Sequence, residues 1–354
     1  MKQQTTERAA TGPVEPGTVT KRQRIMRWAG PENVVAVLVF VALFYVPYVV
    51  VGYPVFILPQ YMLFGVLALT LCLLWGFGGM VSFGQGAFFA VGAYAFGIML
   101  KHVDSASAPW LGLLLGFVLG AVIAGGVGYF LFSANVRDSY FVLVTLAIST
   151  IVYVIANSQS GLTGGFNGMY VDRATFSVFG FIEMSLKGDL AMYYVAFAVT
   201  LLAYLGFRFL QWSAFGQVLV SIRENEDRTR ALGYNTAMYK TVAFAISGAV
   251  AAVAGGFYAT DTGFVSPSLG GVLFSTSVVV WVAVGGRGYF IGALIGAIGI
   301  SVLSNALNSL IPEYWQLILG VLFVLVIVFF RRGLIGSLLR LPQYVQGRRH
   351  EPAA

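Results

Sequence analysis

Long runs without a charged side chain divide this chain. Residues 33–100, 105–136, 139–171, 241–260, 262–286 and 288–312 contain no Asp, Glu, Lys or Arg. A helix needs about 20 apolar residues to cross a bilayer core, so several of these runs hold at least one span. Backbone polar groups in lipid must be satisfied within the spanning segment, and the pattern lacks the dyad alternation of a barrel. It therefore predicts an all-α, polytopic membrane protein. Cutting the runs at turn and charge signals places about ten transmembrane helices. They lie near 33–51, 56–75, 86–100, 109–134, 139–158, 190–207, 241–260, 272–284, 290–310 and 314–330. Residues 76–86 and 262–289 are the candidates for broken or re-entrant stretches, and at least one is expected.

Composition sharpens this picture. The chain is 58% hydrophobic and 10% charged, with a formal net charge of +7. That balance would suit nucleic acid if it were clustered on one face, but it follows the topology instead. With the N-terminus inside, 18 of the 21 Lys and Arg residues fall on cytoplasmic segments, and only Lys101, Arg173 and Lys187 fall opposite. The asymmetry obeys the positive-inside rule and puts both termini in the cytoplasm. Residues 1–30 read as a disordered cytoplasmic tail, 31–335 as the transmembrane domain and 336–354 as a second cytoplasmic tail. The basic cluster Lys21, Arg22, Arg24 and Arg27 precedes a helix too long for a signal-peptide core, which makes it a retained signal-anchor.

Candidate chemistry is sparse. Cys72 is the only cysteine, and His102 and His350 are isolated, so neither an intramolecular disulfide nor a metal site is expected. No GxxxxGK[ST] stretch offers a P-loop, and no nucleophile–base pair suggests an enzyme. Asp261, Glu313 and the Arg137–Asp138 pair fall at predicted helix ends. The spans thus lack the buried carboxylate that a proton- or sodium-coupled transporter needs.

Glycine carries more information. Gly112, Gly116 and Gly120 recur every four residues, as do Gly288, Gly292 and Gly296. That spacing suits close helix approach, either within the chain or at a dimer contact. Two glycine-dense stretches stand apart, WGFGGMVSFGQGAFFAVGAYAFG (75–97) and WVAVGGRGYFIGALIGAIG (281–299). So much glycine makes a continuous helix costly. Freed backbone groups beside Ser82 and Gln85 would suit a discontinuous segment lining a cavity; plain connecting turns are the other reading.

One stretch, VSIRENEDRTRALGY (220–234), packs six charges into residues 223–230. Ser221 and Glu224 satisfy the spacing of a capping box, and Gly233 suits a left-handed C-terminal position. The expected helix over 221–233 has about 11 residues and is roughly 16 Å long. Glu224 with Arg228, and Glu226 with Arg230, form i,i+4 pairs. Such a helix is either a solvated loop element or a rigid rod that docks on a soluble partner, with Ile222, Ala231, Leu232 and Tyr234 as apolar contacts.

Three motifs in this order carry a family resemblance: GMVSFGQGAFFAVGAYA (79–95), IRENEDRTRALGYNTAMYKTVAFAISGAVAAVAGGFYA (222–259) and WVAVGGRGYFIGALIGA (281–297). Over residues 55–336 the chain resembles the LivM-type membrane permeases of ATP-binding-cassette importers for branched-chain amino acids, amides and urea. The resemblance implies a transport subunit of the bacterial inner membrane that does no chemistry on its solute and binds no cofactor, with ATP and Mg bound by partner ATPases. It implies a paralogous permease or a second copy as the other half, two ATPase subunits, a periplasmic or lipoprotein substrate-binding protein and surrounding lipid, with no nucleic acid. The segment matching 222–233 is the cytoplasmic coupling helix in that family. Coupling candidates are Ser221, Ile222, Arg223, Glu224, Glu226, Arg230, Ala231, Leu232 and Gly233. Pathway candidates are Ser82, Gln85, Gly86, Tyr94, Ser277, Trp281, Gly285 and Gly286. TGGFNG (163–168) resembles a glycine-rich loop that would face the binding protein.

Two positions depart from the family pattern: Gln85 stands where many relatives have His, and Ser277 replaces a common acid. The stretch 281–325 looks urea-permease-like and 223–235 amino-acid-like, so the solute stays open between them. A stand-alone channel or a secondary transporter for a small neutral solute is the alternative.

Overall fold

The computed structural model describes residues 31–314, interrupted at 51, 104, 137, 179–181 and 187, with scattered positions between 317 and 333. The tails expected over 1–30 and 336–354, Arg137, Lys187 and most of the span expected over 314–330 lie outside the described residues. Among the described residues eleven helices of six residues or more organise the fold, with one further single turn at Ser160–Thr163. They are α1 (Pro31–Val49), α2 (Tyr53–Cys72), α3 (Gln85–His102), α4 (Ala108–Ser133), α5 (Asp138–Ser158), α6 (Asp189–Trp212), α7 (Ala214–Glu224), α8 (Glu226–Ala231), α9 (Thr236–Thr262), α10 (Val272–Gly285) and α11 (Phe290–Leu310). Two minimal antiparallel pairs join them: β1 (Met169–Tyr170) with β4 (Phe264–Val265), and β2 (Thr175–Val178) with β3 (Ile182–Ser185).

Local sequence explains several boundaries. Asn235 caps α9, its side chain accepting the Met238 N–H at 3.1 Å, and Gly263 ends the helix with φ +67°. A π turn over Leu73–Phe77 follows α2, and residues 78–84 are then non-helical before α3 begins. The break expected over 76–86 is therefore present. A second break runs from Gly263 through a 3-10 turn at Pro267–Gly270 to the start of α10.

Among the described residues seven helices are long and apolar enough to cross a membrane: α1 from Glu32, α2 with its π turn, α4, α5, α6, α9 and α11. The expectation of about ten counted α3 and α10 as full spans. Yet α3 carries Gln85 at one end and Lys101–His102 at the other, and α10 has only 14 residues. At 1.5 Å per residue α10 covers about 21 Å of a ~30 Å core. Both start inside the protein, because Gly86 of α3 packs on Leu269 and Ser275, while Gly270 packs on Val152 in α5 and Ala90 in α3. Both helices are entered from broken segments.

The core follows α2, where Met62, Leu63, Leu67 and Leu69 are fully buried, with α6, α9 and α11 packed around it. The glycine repeat in α4 faces inward: Gly112 meets Phe96, Gly116 meets Gly92 and Gly120 meets Gly248. Of the two readings for that spacing, packing within the chain is the one observed. In α11, Gly292 and Gly296 pack on α10, whereas Gly288 has open space around it. Dispersion between closely approaching backbones takes over here from the hydrophobic effect, which lipid does not supply.

A Cβ on Gly92 would lie 1.8 Å from the Ala252 carbonyl oxygen, while one on Gly126 meets nothing within 4 Å. Gly92→Ala should therefore force α3 off α9 and cost about 3 kcal/mol or more, the upper end of overpacking. Gly126→Ala should be neutral or gain up to about 1 kcal/mol. Thermal unfolding of the purified chain in detergent measures both, and equal stability of the two variants would refute the close approach.

Candidate functional site

Inside an apolar slab a broken backbone needs partners: Gly78 and Met80 donate to the Leu73 and Leu74 carbonyls, and Phe83 and Gly84 find theirs in hydroxyl groups. Thr145 in α5 accepts the Phe83 N–H at 3.0 Å, and the Ser149 hydroxyl donates to the Phe83 carbonyl at 2.7 Å. Ser82 accepts the Gly84 N–H at 3.1 Å, and Gly84 then caps α3. Each of these bonds replaces one that continuous helix would have made.

The side chain of Gln85 opens α3 and is fully buried. Its carbonyl oxygen accepts from Thr70 in α2 at 3.0 Å and from Ser247 in α9 at 3.2 Å. Its amide nitrogen is buried without a hydrogen-bond partner. Next to it, Ser149 and the buried Ser275 of α10 share a hydroxyl–hydroxyl bond at 3.0 Å, and a Cβ on Gly86 would stand 2.6 Å from the Ser275 oxygen. The result is a buried polar seam, made by five helices and closely packed.

Of the pathway candidates, the structure brings Ser82, Gln85 and Gly86 into this seam. Ser277 is turned away, donating to the Leu273 carbonyl of its own helix at 3.0 Å. Trp281 is buried in a separate aromatic cluster, 5.1 Å from Phe64 and 6.0 Å from Phe274 between ring centroids. Tyr94 is buried outside both groups, its hydroxyl without a partner. Gly285 and Gly286 pack α10 against α11 and Gly333. Thr70, Thr145, Ser149, Ser247 and Ser275 are members that sequence reasoning missed. Their only signal is a hydroxyl in the interior of an apolar run.

At the basic end, the charged stretch departs from its expected form. Ser213 caps α7, accepting the Gly216 N–H at 3.3 Å, so that helix begins well before residue 221. Ser221 lies in its last turn and donates to the Gln217 carbonyl at 3.0 Å. The chain breaks at Asn225, whose side chain accepts the Arg228 N–H at 2.8 Å and caps α8. Two short helices thus stand where one was expected, because Asn225 outcompetes Ser221 as the cap. The break separates Glu224 from Arg228; Glu224 sits 4.0 Å from Arg223 instead. The Glu226–Arg230 pair forms at 3.4 Å. Gly233 has φ +92°, a left-handed position after α8.

These charges hold the segment to the helical body rather than only to one another. Glu226 receives Lys240 of α9 at 2.5 Å, and Arg230 donates to Asn135, between α4 and α5, at 3.0 Å. Arg223 donates to the Gly76 carbonyl, an oxygen within the π turn. Gly76 also abuts the Arg287 carbonyl, which accepts from Cys72 at 3.6 Å, so the two glycine-dense stretches meet there. Ile222 is buried and unavailable to a partner, whereas Ala231, Leu232 and Tyr234 are exposed.

Burial acts to raise the Glu226 carboxyl, but Lys240, with Thr236 and Arg230, brings it below its ordinary value of 4.5. A lowered carboxyl contributes stability in full above that ordinary value and loses it as pH falls through the folded-state value. Thermal unfolding followed down a pH series should show the wild type losing stability relative to Glu226→Gln below about pH 4.5. Parallel curves would show that the pair contributes nothing.

Comparison with known proteins places this geometry in context. The family described as branched-chain amino acid transport system / permease component matches residues 53–327. The high-affinity branched-chain amino acid transport system permease protein LivM of Salmonella typhimurium is 28% identical over 295 residues, which cover 77% of this chain and 68% of that protein. A probable LivM of Methanocaldococcus jannaschii is 26% identical over 316 residues, covering 77% and 90%. The corresponding permease protein LivH of Escherichia coli K12 is 26% identical over 295 residues, covering 77% and 91%. No solved structure matches the chain.

Proposed function

The chain belongs to the family of permease components of branched-chain amino acid transport systems, and we propose that it forms one membrane-spanning half of an ATP-binding-cassette importer in the bacterial inner membrane. LivM and LivH proteins both resemble it, which supports a paralogous permease as the other half. The solute in this reading is a branched-chain amino acid, as the names of those relatives say, in preference to urea. ATP and Mg2+ belong to two partner ATPases, and a substrate-binding protein delivers the solute on the opposite side. The basic end is the cytoplasmic one, by the positive-inside rule.

The observation that carries the reading is the bond from Arg223 to the Gly76 carbonyl. It ties α7 and α8, the segment that faces the ATPases, to the π turn from which the broken stretch 78–84 departs. Movement of that segment passes through Arg223 to the π turn, and from there to Ser82, Gln85 and the Ser149–Ser275 contact. Parting that seam exposes hydroxyls and a carboxamide, groups that suit the passage of a neutral or zwitterionic solute. Leu232 and Tyr234 supply exposed apolar surface for an ATPase groove, on a segment held rigid by Glu226, Lys240 and Arg230.

The test is reconstitution of the chain with its paralogue, ATPases and binding protein in proteoliposomes. Leu232→Asp should abolish co-purification with the ATPase. Arg223→Ala should keep the complex assembled but cut solute uptake per ATP hydrolysed by at least about tenfold, since one rigid link would be lost. Full coupling in Arg223→Ala would refute the relay, and robust uptake by this chain alone would overturn the importer reading.

A further inference from the structure

At the end opposite the charged segment, a cavity of about 450 Å³ opens between the C-terminal turn of α3 and the loop that leads into β1. That size falls within the roughly 300–1,000 Å³ of small-molecule sites. Two kinds of group line it. Leu100, Met169 and Val171 supply apolar wall, while Lys101 and Asp172 each bring one charge of opposite sign. Both charged residues are exposed, and neither forms an ion pair with the other or with any other described residue. Lys101 at the end of α3 complements the helix dipole, which accounts for its sign but not for an unpaired Asp172 in the same cavity.

We propose that this cavity is a receiving site for a zwitterionic α-amino acid with an aliphatic side chain. The solute carboxylate faces Lys101, its ammonium faces Asp172, and its side chain lies against Leu100, Met169 and Val171. Two opposite charges held apart in one cavity are satisfied together by a ligand that carries both, and a neutral solute satisfies neither. The loop beside it is rigid enough to hold such a site. A Cβ on Gly164 would lie 1.9 Å from the Gly168 carbonyl oxygen, and the β1–β4 pairing fastens Met169 to Val265. TGGFNG is thus a structural wall of the site. Because both charges are partly solvated, the site is weak and suited to handing a solute onward. This inference rests on the importer reading and adds a place on the permease where the solute first lands.

The experiment uses the full chain in lipid nanodiscs, with saturation-transfer NMR to L-leucine, N-acetyl-leucinamide and urea as probes. L-leucine should give a signal that Lys101→Gln or Asp172→Asn weakens at least tenfold and that Lys101→Arg or Asp172→Glu preserves. The two neutral probes should bind poorly throughout. No leucine signal at millimolar concentration, or an undiminished signal in both charge-removing variants, overturns the site. So does a loss confined to docking of the substrate-binding protein, which would assign the two charges to a protein contact. Leucine uptake by the complete reconstituted complex is read in parallel. If uptake persists without leucine binding to the chain, this site fails while the importer reading stands; if uptake is absent, that reading fails first.

Discussion

Every backbone N–H and C=O inside the apolar slab has to find a partner there, and the rest of this structure depends on how residues 78–84 meet that demand. An unpaired buried group costs about 1–3 kcal/mol, so a seven-residue break without partners would rival the stability of the whole chain. Thr145, Ser149 and Ser82 supply partners from below and beside the break, and Arg223 supplies one for the π turn before it. Because three of these four partners, Thr145, Ser149 and Arg223, lie on α5 and α7, the break fixes where those helices sit. A continuous helix would have needed none of them and would have left the charged segment tied to the body only through Lys240 and Asn135.

Around the break the chain is stiff. Gly92 on Ala252, Gly255 on Phe89 and Gly285 on Gly292 bring backbones into contact with no side chain between them. Contacts of that kind cannot slide by small amounts without clash or gap. The aromatic cluster of Phe64, Phe89, Tyr258, Phe274 and Trp281 is likewise closely interlocked. The structure therefore divides into tightly packed helix pairs and one seam of hydroxyls and amide, and the two differ in what it takes to part them.

Much of the fold was legible because periodicity and charge placement report on lipid directly. Uncharged runs marked the long helices, and glycine density marked the break before Gln85. The count of spans was not legible, since apolar length alone does not separate a full span from a helix such as α10 that starts inside the protein. The seam was mostly hidden for a related reason. Thr145, Ser149 and Ser275 look the same in sequence as Thr241, Thr276 and Ser277, which donate to carbonyls of their own helices. Only tertiary rotation of each helix decides which hydroxyl bridges and which folds back. The charged stretch misled in another way. Ser221 had the spacing of a cap, but Leu219 and Ile222 bury an apolar stripe that carries α7 back to Ser213, leaving Asn225 to start the next helix.

Gly76 is where these constraints converge. It has no room for a side chain, because the Arg287 carbonyl occupies that place, and its own carbonyl is held by Arg223. A guanidinium is a planar donor whose rigid fork fixes the orientation of the bonds it makes. The α7–α8 segment and the turn between α10 and α11 therefore both bear on one residue of the π turn. From that residue the chain leads in a few steps to Ser82 and Gln85, and α10 leads from Arg287 back to Ser275. The two routes end on opposite sides of the Ser149–Ser275 bond, the joint that hydroxyls can exchange for water or solute at a net cost of only about 0.5–1.5 kcal/mol per hydrogen bond. The basic end and the turn after α10 are thus both connected to the Ser149–Ser275 contact, one from each side, through closely packed elements.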